Sequence, residues 1–231
     1  MTSSMIDIAT HDGQSFQGYL ALPPTGTGPG IVLIQEIFGV NSHIRAVADQ
    51  YALDGYVVLA PDLFWRQSPG VSLGYGEADF AKAIGFMQKM DSALALQDLR
   101  ATVGALRERS ECSGKVASLG FCMGGLLSYL CAANAGVDAA VCYYPGSIET
   151  RLDQADLVKC PILIHFAGKD HYISAEAVKA VQTKFADAKN AVIEVYPGVD
   201  HGFNCWERPA YHQQTSSLAH GLSLSFLAKA Y

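Results

Sequence analysis

Six apolar runs of strand length recur along this 231-residue chain, separated by longer helical patterns, and they dictate what it can fold into. They are Ile31–Gln35, Tyr56–Ala60, Lys115–Leu119, Ala139–Tyr144, Pro161–Phe166 and Ala191–Tyr196; an opening hairpin-like stretch ends at Leu20–Pro24. All but the first close on glycine, proline or a glycine-containing turn. Runs without polar alternation are those of strands buried on both faces, as in a parallel sheet covered by helices. Amphipathic stretches lie between them at Ser42–Asp54, Glu77–Glu108, Gly124–Asn134, Ala175–Lys189 and Pro209–Ala230. The alternation predicts an α/β fold with a mostly parallel central sheet and helices on both faces. With no repeat, low-complexity segment or linker, residues 1–231 read as a single domain. Gln67–Gly76 is too rich in glycine and proline for an element and reads as an ordered surface loop.

Composition excludes several classes. Hydrophobic residues make up 50% and charged residues 16%, which is incompatible with disorder. A net charge of −6 argues against nucleic acid or an anionic membrane as partner. No apolar run approaches the roughly 18 residues of a membrane span, and the N-terminus has neither a basic start nor an apolar signal core. The six cysteines form no CxxC pair and no Cys/His cluster at metal spacing. They read as reduced thiols of a cytoplasmic protein that needs no metal and no cofactor.

The chemistry is carried by Gly120-Phe121-Cys122-Met123-Gly124-Gly125, between the Lys115–Leu119 strand and an apolar helix. Strand, sharp turn, helix is the setting of a nucleophile elbow, with cysteine where serine usually stands. Glycines two residues either side of the nucleophile remove side chains that would clash in the turn. The helix N-terminus favours a thiolate there. A cysteine nucleophile needs a histidine to take its proton and an acid to orient that histidine. Asp170 follows the Pro161–Phe166 strand and His201 follows the Ala191–Tyr196 strand, so Cys122, Asp170 and His201 stand in the order this fold uses. All three fall at carboxyl ends of strands, where open α/β sheets place their sites.

Other residues compete for these roles. His165 lies inside a strand and reads as a packed residue. His171 shares the acid's loop. His11, His43, His212 and His220 read as surface or helix-flank residues. Asp200 is an alternative acid, but adjacency to His201 makes an orienting hydrogen bond hard, so Asp170 is preferred. Glu36, at the end of the Ile31–Gln35 strand and followed by apolar residues, reads either as a carboxylate with a raised pKa or as a solvated strand-end glutamate.

With these residues in place, the chain resembles the dienelactone hydrolase (carboxymethylenebutenolidase) family of the α/β-hydrolases along nearly its whole length. The matching blocks are Gln35 to Asn41, Gly55-Tyr56 through Ala60 to Leu63, Gly120 to Gly125, Gly168-Lys169-Asp170-His171 and His201-Gly202-Phe203. The resemblance implies a Cys122, His201, Asp170 triad and an oxyanion hole from the backbone N–H groups of Ile37 and Met123. It also gives Glu36 the part of engaging the resting thiol and leaving it when substrate binds. Phe38, Cys205 and Trp206 become the candidate substrate contacts, and a small-molecule lactone or ester the expected partner.

One departure bears on the substrate. Members acting on the carboxylated lactone hold its carboxylate with arginines, and Cys205 stands where one is expected. The stretch Ala78–Lys82, where the other belongs, has none. Lys82 or Arg208 could substitute, although lysine lacks the guanidinium fork. Trp65 and Trp206 are candidate pocket walls. Cysteine chemistry itself favours enol esters, lactones and thioesters over amides, because thiolate leaves a tetrahedral intermediate readily. A broader carboxylesterase or thioesterase on the same triad, and a non-catalytic thiol-sensing protein of the same fold, stay open at this point.

Overall fold

The computed structural model describes residues Met1–Tyr231, and the chain divides into two compact units, Met1–Ser118 and Leu119–Tyr231. In the first unit, β1 (Thr2–Ala9) and β2 (Ser15–Leu22) form an antiparallel hairpin in the register Thr2↔Leu22 to Ala9↔Ser15. β3 (Gly28–Ile34) leads into α1 (Ser42–Leu53), which returns to β4 (Val57–Pro61). β4 pairs parallel with β3 and antiparallel with β2. Every residue of β4 and the last five of β3 are buried, which is why these runs carry no polar alternation.

The long amphipathic stretch beginning at Glu77 is two helices, not one: α2 (Glu77–Lys89) and α3 (Ser92–Arg107). The break is made by Met90, extended at ψ 125°, and by Asp91, whose carboxylate caps α3 by accepting from the N–H groups of Ala93 and Leu94. On α3, Asp98 is buried and takes the Trp65 indole N–H at 2.9 Å and two N–H groups of Arg66 at 2.7 and 3.2 Å. Trp65 also stacks on Phe16 and carries the Arg66 guanidinium over its ring, so its role is packing in this unit.

β5 (Cys112–Phe121) crosses the division, and the strand order is β1-β2-β4-β3-β5-β6-β7-β8. In the second unit, α4 (Met123–Asn134) precedes β6 (Ala139–Tyr143), a 3₁₀ stretch covers Ile148–Leu157, and β7 (Ile162–Ala167), α5 (Ala175–Lys184), β8 (Ala191–Tyr196) and α6 (Gln213–Ala230) follow. β6, β7 and β8 are parallel neighbours. β8, at the edge, is half-exposed although its sequence is nearly as apolar as that of β7. No helix is long and apolar enough to cross a membrane.

A buried polar network joins β6, β7, β8 and α6. Ser223 Oγ donates to the Ala219 carbonyl at 2.9 Å and so receives the Tyr143 hydroxyl at 2.8 Å and His165 Nε2–H at 3.0 Å. His165 Nδ1 then accepts from the Tyr196 hydroxyl at 2.9 Å, which fixes the tautomer. Burial pushes His165 down to about 3, so it stays neutral, a packed residue inside a strand. Ser223→Ala removes the acceptor of two buried donors and is expected to cost about 2–4 kcal/mol, read as a lower urea midpoint at unchanged m. Because unfolded histidine titrates near 6.5, the stability linked to His165 is complete above that pH and falls as pH drops toward about 3. Urea midpoints measured from pH 7 to pH 4.5 should therefore fall, and His165→Gln should flatten that slope.

Candidate active site

The site is built on the turn from β5 into α4. Cys122 sits there at φ 57°, ψ −116°, a backbone conformation strained for any residue but glycine. Its N–H bonds to the Tyr143 carbonyl of β6 at 3.0 Å, and its carbonyl accepts from Gly125 and Leu126 in the first turn of α4. A Cβ on Gly120 would overlap the Gly124 carbonyl, so the sharp turn needs glycine at that position. Gly125 has a separate reason: a Cβ there would lie 2.7 Å from the Tyr143 carbonyl and 3.1 Å from Pro145, so its absence lets α4 close on β6. The Cys122 side chain thus begins a helix, where N–H groups and the dipole favour negative charge.

The loops after β7 and β8 bring Asp170 and His201 together. Asp170 Oδ1 accepts the N–H groups of Tyr172 and Ile173 at 2.8 and 3.1 Å, which fixes the carboxylate, and Oδ2 receives His201 Nδ1 at 2.8 Å. The two side chains are only 1% and 3% exposed. With Nδ1 committed to Asp170, Nε2 is the ring nitrogen left for Cys122, which lies close enough to shift the imidazole. Burial opposes charging His201, yet its neighbours Cys122 and Asp170 outweigh it and raise the imidazole to about 10. Tyr144 and Tyr172 hold the His201 ring from two sides, with centroids at 4.8 and 5.0 Å.

Asp200, the alternative acid, takes His171 Nδ1 at 2.6 Å and bonds His201 through its main-chain N–H, while the ring goes to Asp170. His212 caps α6 through Thr215. His43 departs from expectation: it is completely buried on α1, facing the Tyr75 ring at 6.3 Å, because the first turn of α1 presents it inward.

In the first unit, Glu36 is 1% exposed and accepts the Tyr75 hydroxyl at 2.8 Å, so it is not a solvated strand-end residue. Tyr75 comes from the Gln67–Gly76 loop, which is pinned by a bridge from Gly39 to Ser72 and by Asp62 accepting the Gly70 N–H at 2.7 Å. The loop is ordered and mostly exposed, as its sequence predicts, but nothing in the sequence singles out Tyr75 as a partner of Glu36. Ile37 and Phe38 are buried, Phe38 edge-on to Tyr75 at 4.6 Å.

Cys205 is fully buried, whereas Trp206 is 39% exposed. The turn they form leads to Arg208, whose N–H bonds the Cys205 carbonyl. The Arg208 guanidinium lies where a side chain on Gly202 would go: a Cβ there would meet Nη1 at 2.6 Å. A cleft of about 500 Å³ is lined by His201 and Arg208 together with His171, Tyr172 and Asp200. Lys82, the other candidate cation, is held by Asp79 at 3.1 Å.

Comparison with known proteins agrees with this architecture. The profile of the dienelactone hydrolase family matches residues 16–231. A carboxymethylenebutenolidase of Pseudomonas sp. strain P51 is 34% identical over 99% of this chain and 96% of its own length. A protein of Klebsiella pneumoniae assigned as a dienelactone hydrolase superposes with TM-score 0.86 at 28% identity over 98% of both chains. An esterase of Pyrococcus furiosus shares the fold at TM-score 0.75 and 16% identity over 99% of this chain and 92% of its own. With an eight-stranded, mostly parallel sheet flanked by helices and a family match from Phe16 to the last residue, the chain is an α/β-hydrolase-fold carboxylic ester hydrolase and belongs to the dienelactone hydrolase family.

Proposed function

We propose that the protein hydrolyses enol-lactones or similarly activated esters through an acyl-thioester on Cys122. The observation that carries this reading is the set Cys122, His201 and Asp170, with His201 bonded to Asp170 through Nδ1 and Cys122 close enough to raise the imidazole. In the first step the Cys122 thiolate attacks the substrate carbonyl carbon. Negative charge develops on the carbonyl oxygen, where the N–H of Met123 at the start of α4 is the donor within this unit. The tetrahedral intermediate collapses, the C–O bond breaks, and the departing oxygen takes the proton of His201 Nε2, which leaves the imidazole neutral. His201 Nε2 then removes a proton from water, which attacks the thioester and returns Cys122 as thiolate. Collapse goes forward only when the departing oxygen is a better leaving group than the thiolate, which selects enol and aryl esters over amides.

Family membership extends the proposal to the first unit: Ile37 N–H as second oxyanion donor, and Glu36 as the carboxylate that governs thiol protonation. Support for Glu36 comes from its burial and its Tyr75 hydrogen bond, which hold a carboxylate where solvent cannot. Arg208, seated on Gly202 in the His201 cleft, supports a substrate with an anionic group despite Cys205 at the family's arginine position. Phe38 and Trp206 complete the proposed contacts, with a small-molecule lactone or ester as the partner, no nucleic acid, and a cytoplasmic setting.

Cys122→Ala is expected to lower kcat/KM on an aryl ester by about 10³-fold or more with an unchanged urea midpoint. Mass spectrometry of the wild type quenched with that ester should find the acyl group on Cys122. Persistence of most of the activity in Cys122→Ala would sink the reading. The raised His201 makes a second prediction: kcat/KM holds until the imidazolium loses its proton, so the alkaline limb lies near pH 10. Removing the Asp170 charge in Asp170→Asn lowers the imidazole, and the limb should move to lower pH. Glu36→Gln with unchanged thiol alkylation and unchanged turnover would remove Glu36 from the mechanism.

A further inference from the structure

The dipeptide Asp-His occurs twice near the site, at Asp170-His171 and Asp200-His201. The fold pairs them crosswise. Asp170 Oδ2 meets His201 Nδ1 at 2.8 Å, and Asp200 Oδ2 meets His171 Nδ1 at 2.6 Å. The first pair is buried; in the second, His171 is 77% and Asp200 37% exposed. The proposed reaction uses only the first.

Asp200 does more than pair with an imidazole. Its Oδ1 accepts the main-chain N–H of His201 at 2.6 Å and that of His171 at 3.1 Å. One carboxylate therefore ties the loop after β7 to the loop after β8, one residue from the acid on one side and from the base on the other. It extends a run of main-chain bonds between the same loops, from Gly168 N–H to the Tyr196 carbonyl and from Lys169 N–H to the Val199 carbonyl. Main-chain pairing stops there, and the Asp200 carboxylate continues it to His171 and His201.

An exposed ion pair adds little to stability, about 0–1 kcal/mol, so this one is poorly accounted for as a stabiliser. Geometry gives it a different use. The bond from Asp170 to His201 joins two loops on different strands, and catalytic groups need placement within about 0.5 Å. Carboxylate-to-N–H bonds are charge-assisted and short, which suits them to that task.

We infer that Asp200 and His171 are positioning residues, a clamp across the two loops that holds His201 in register with Asp170. The inference rests on the reading of Cys122, His201 and Asp170 as the hydrolytic machinery. Neither clamp residue touches the reacting atoms; each acts through His201.

The test compares Asp200→Ala, Asp200→Asn and His171→Ala on an activated aryl ester. Asp200→Ala is expected to lower kcat about 10- to 100-fold with KM within about twofold, the signature of a base slightly out of place. Asp200→Asn should recover most of that loss, because the carboxamide oxygen can accept the same two N–H groups. His171→Ala, which leaves both main-chain bonds, should lose less than Asp200→Ala. A readout independent of substrate is the downfield proton resonance of His201 Nδ1–H: sharp in the wild type, broadened by exchange in Asp200→Ala, sharp again in Asp200→Asn. Wild-type kcat and a sharp resonance in Asp200→Ala overturn the clamp, as does an effect on KM alone or a loss that Asp200→Asn does not relieve. If the wild type hydrolyses no ester, the hydrolytic reading fails, and the resonance alone then decides the clamp.

Discussion

The backbone at Cys122 is the constraint around which the second unit is organised. A non-glycine residue at φ 57°, ψ −116° costs on the order of 1–3 kcal/mol and persists only where its surroundings over-determine it. Here they do. The Cys122 N–H is spent on β6, its carbonyl on the first turn of α4, and two glycines admit the close approaches that result. Relaxing the turn would break hydrogen bonds to two elements at once. The strain is thus coupled to the packing of β6 and α4, and the sulfur is presented at the helix N-terminus in one orientation.

Electrostatics builds on that geometry. A charged imidazole in a buried site is unfavourable by itself, and at His201 the neighbours Cys122 and Asp170 outweigh that cost. The carboxylate is in turn held by two main-chain N–H groups, so it does not need to be charged by a distant partner or to move. Contrast His165, which is as deeply buried, receives only neutral partners and is driven the other way, to about 3. Two histidines thirty-six positions apart in one unit are thus driven in opposite directions by the groups beside them.

Much of this was legible in the sequence for physical reasons. Double-sided burial strips strands of polar residues, so β4, β6 and β7 are visible as apolar runs, and an elbow cannot be built without its glycines. Asp91 was legible in principle too: an aspartate before Ser-Ala-Leu is an N-cap, but the amphipathic pattern continues across it and masks the break. What the sequence hid depends on chains meeting from afar. Tyr75 reaches Glu36 across thirty-nine residues, Asp200 meets His171 across twenty-nine, and Arg208 lies over Gly202 because the intervening turn reverses. His43 was misread because periodicity alone does not say which face of a helix's first turn points inward.

The placement of Arg208 bears on the charge a substrate can carry. From the sequence, a cysteine at the expected arginine position removes the cation and turns the reading toward neutral esters. The fold returns a guanidinium to the same cleft from three residues further on, and it does so through Gly202, whose missing side chain leaves room for it. Gly202, at φ 82°, therefore serves two ends: it turns the chain after the base, and it opens the seat for the cation. Any side chain there would meet both a backbone penalty and the guanidinium. Asp200 and His171 line the same cleft, so an anion entering it meets a carboxylate already engaged by two N–H groups and an imidazole.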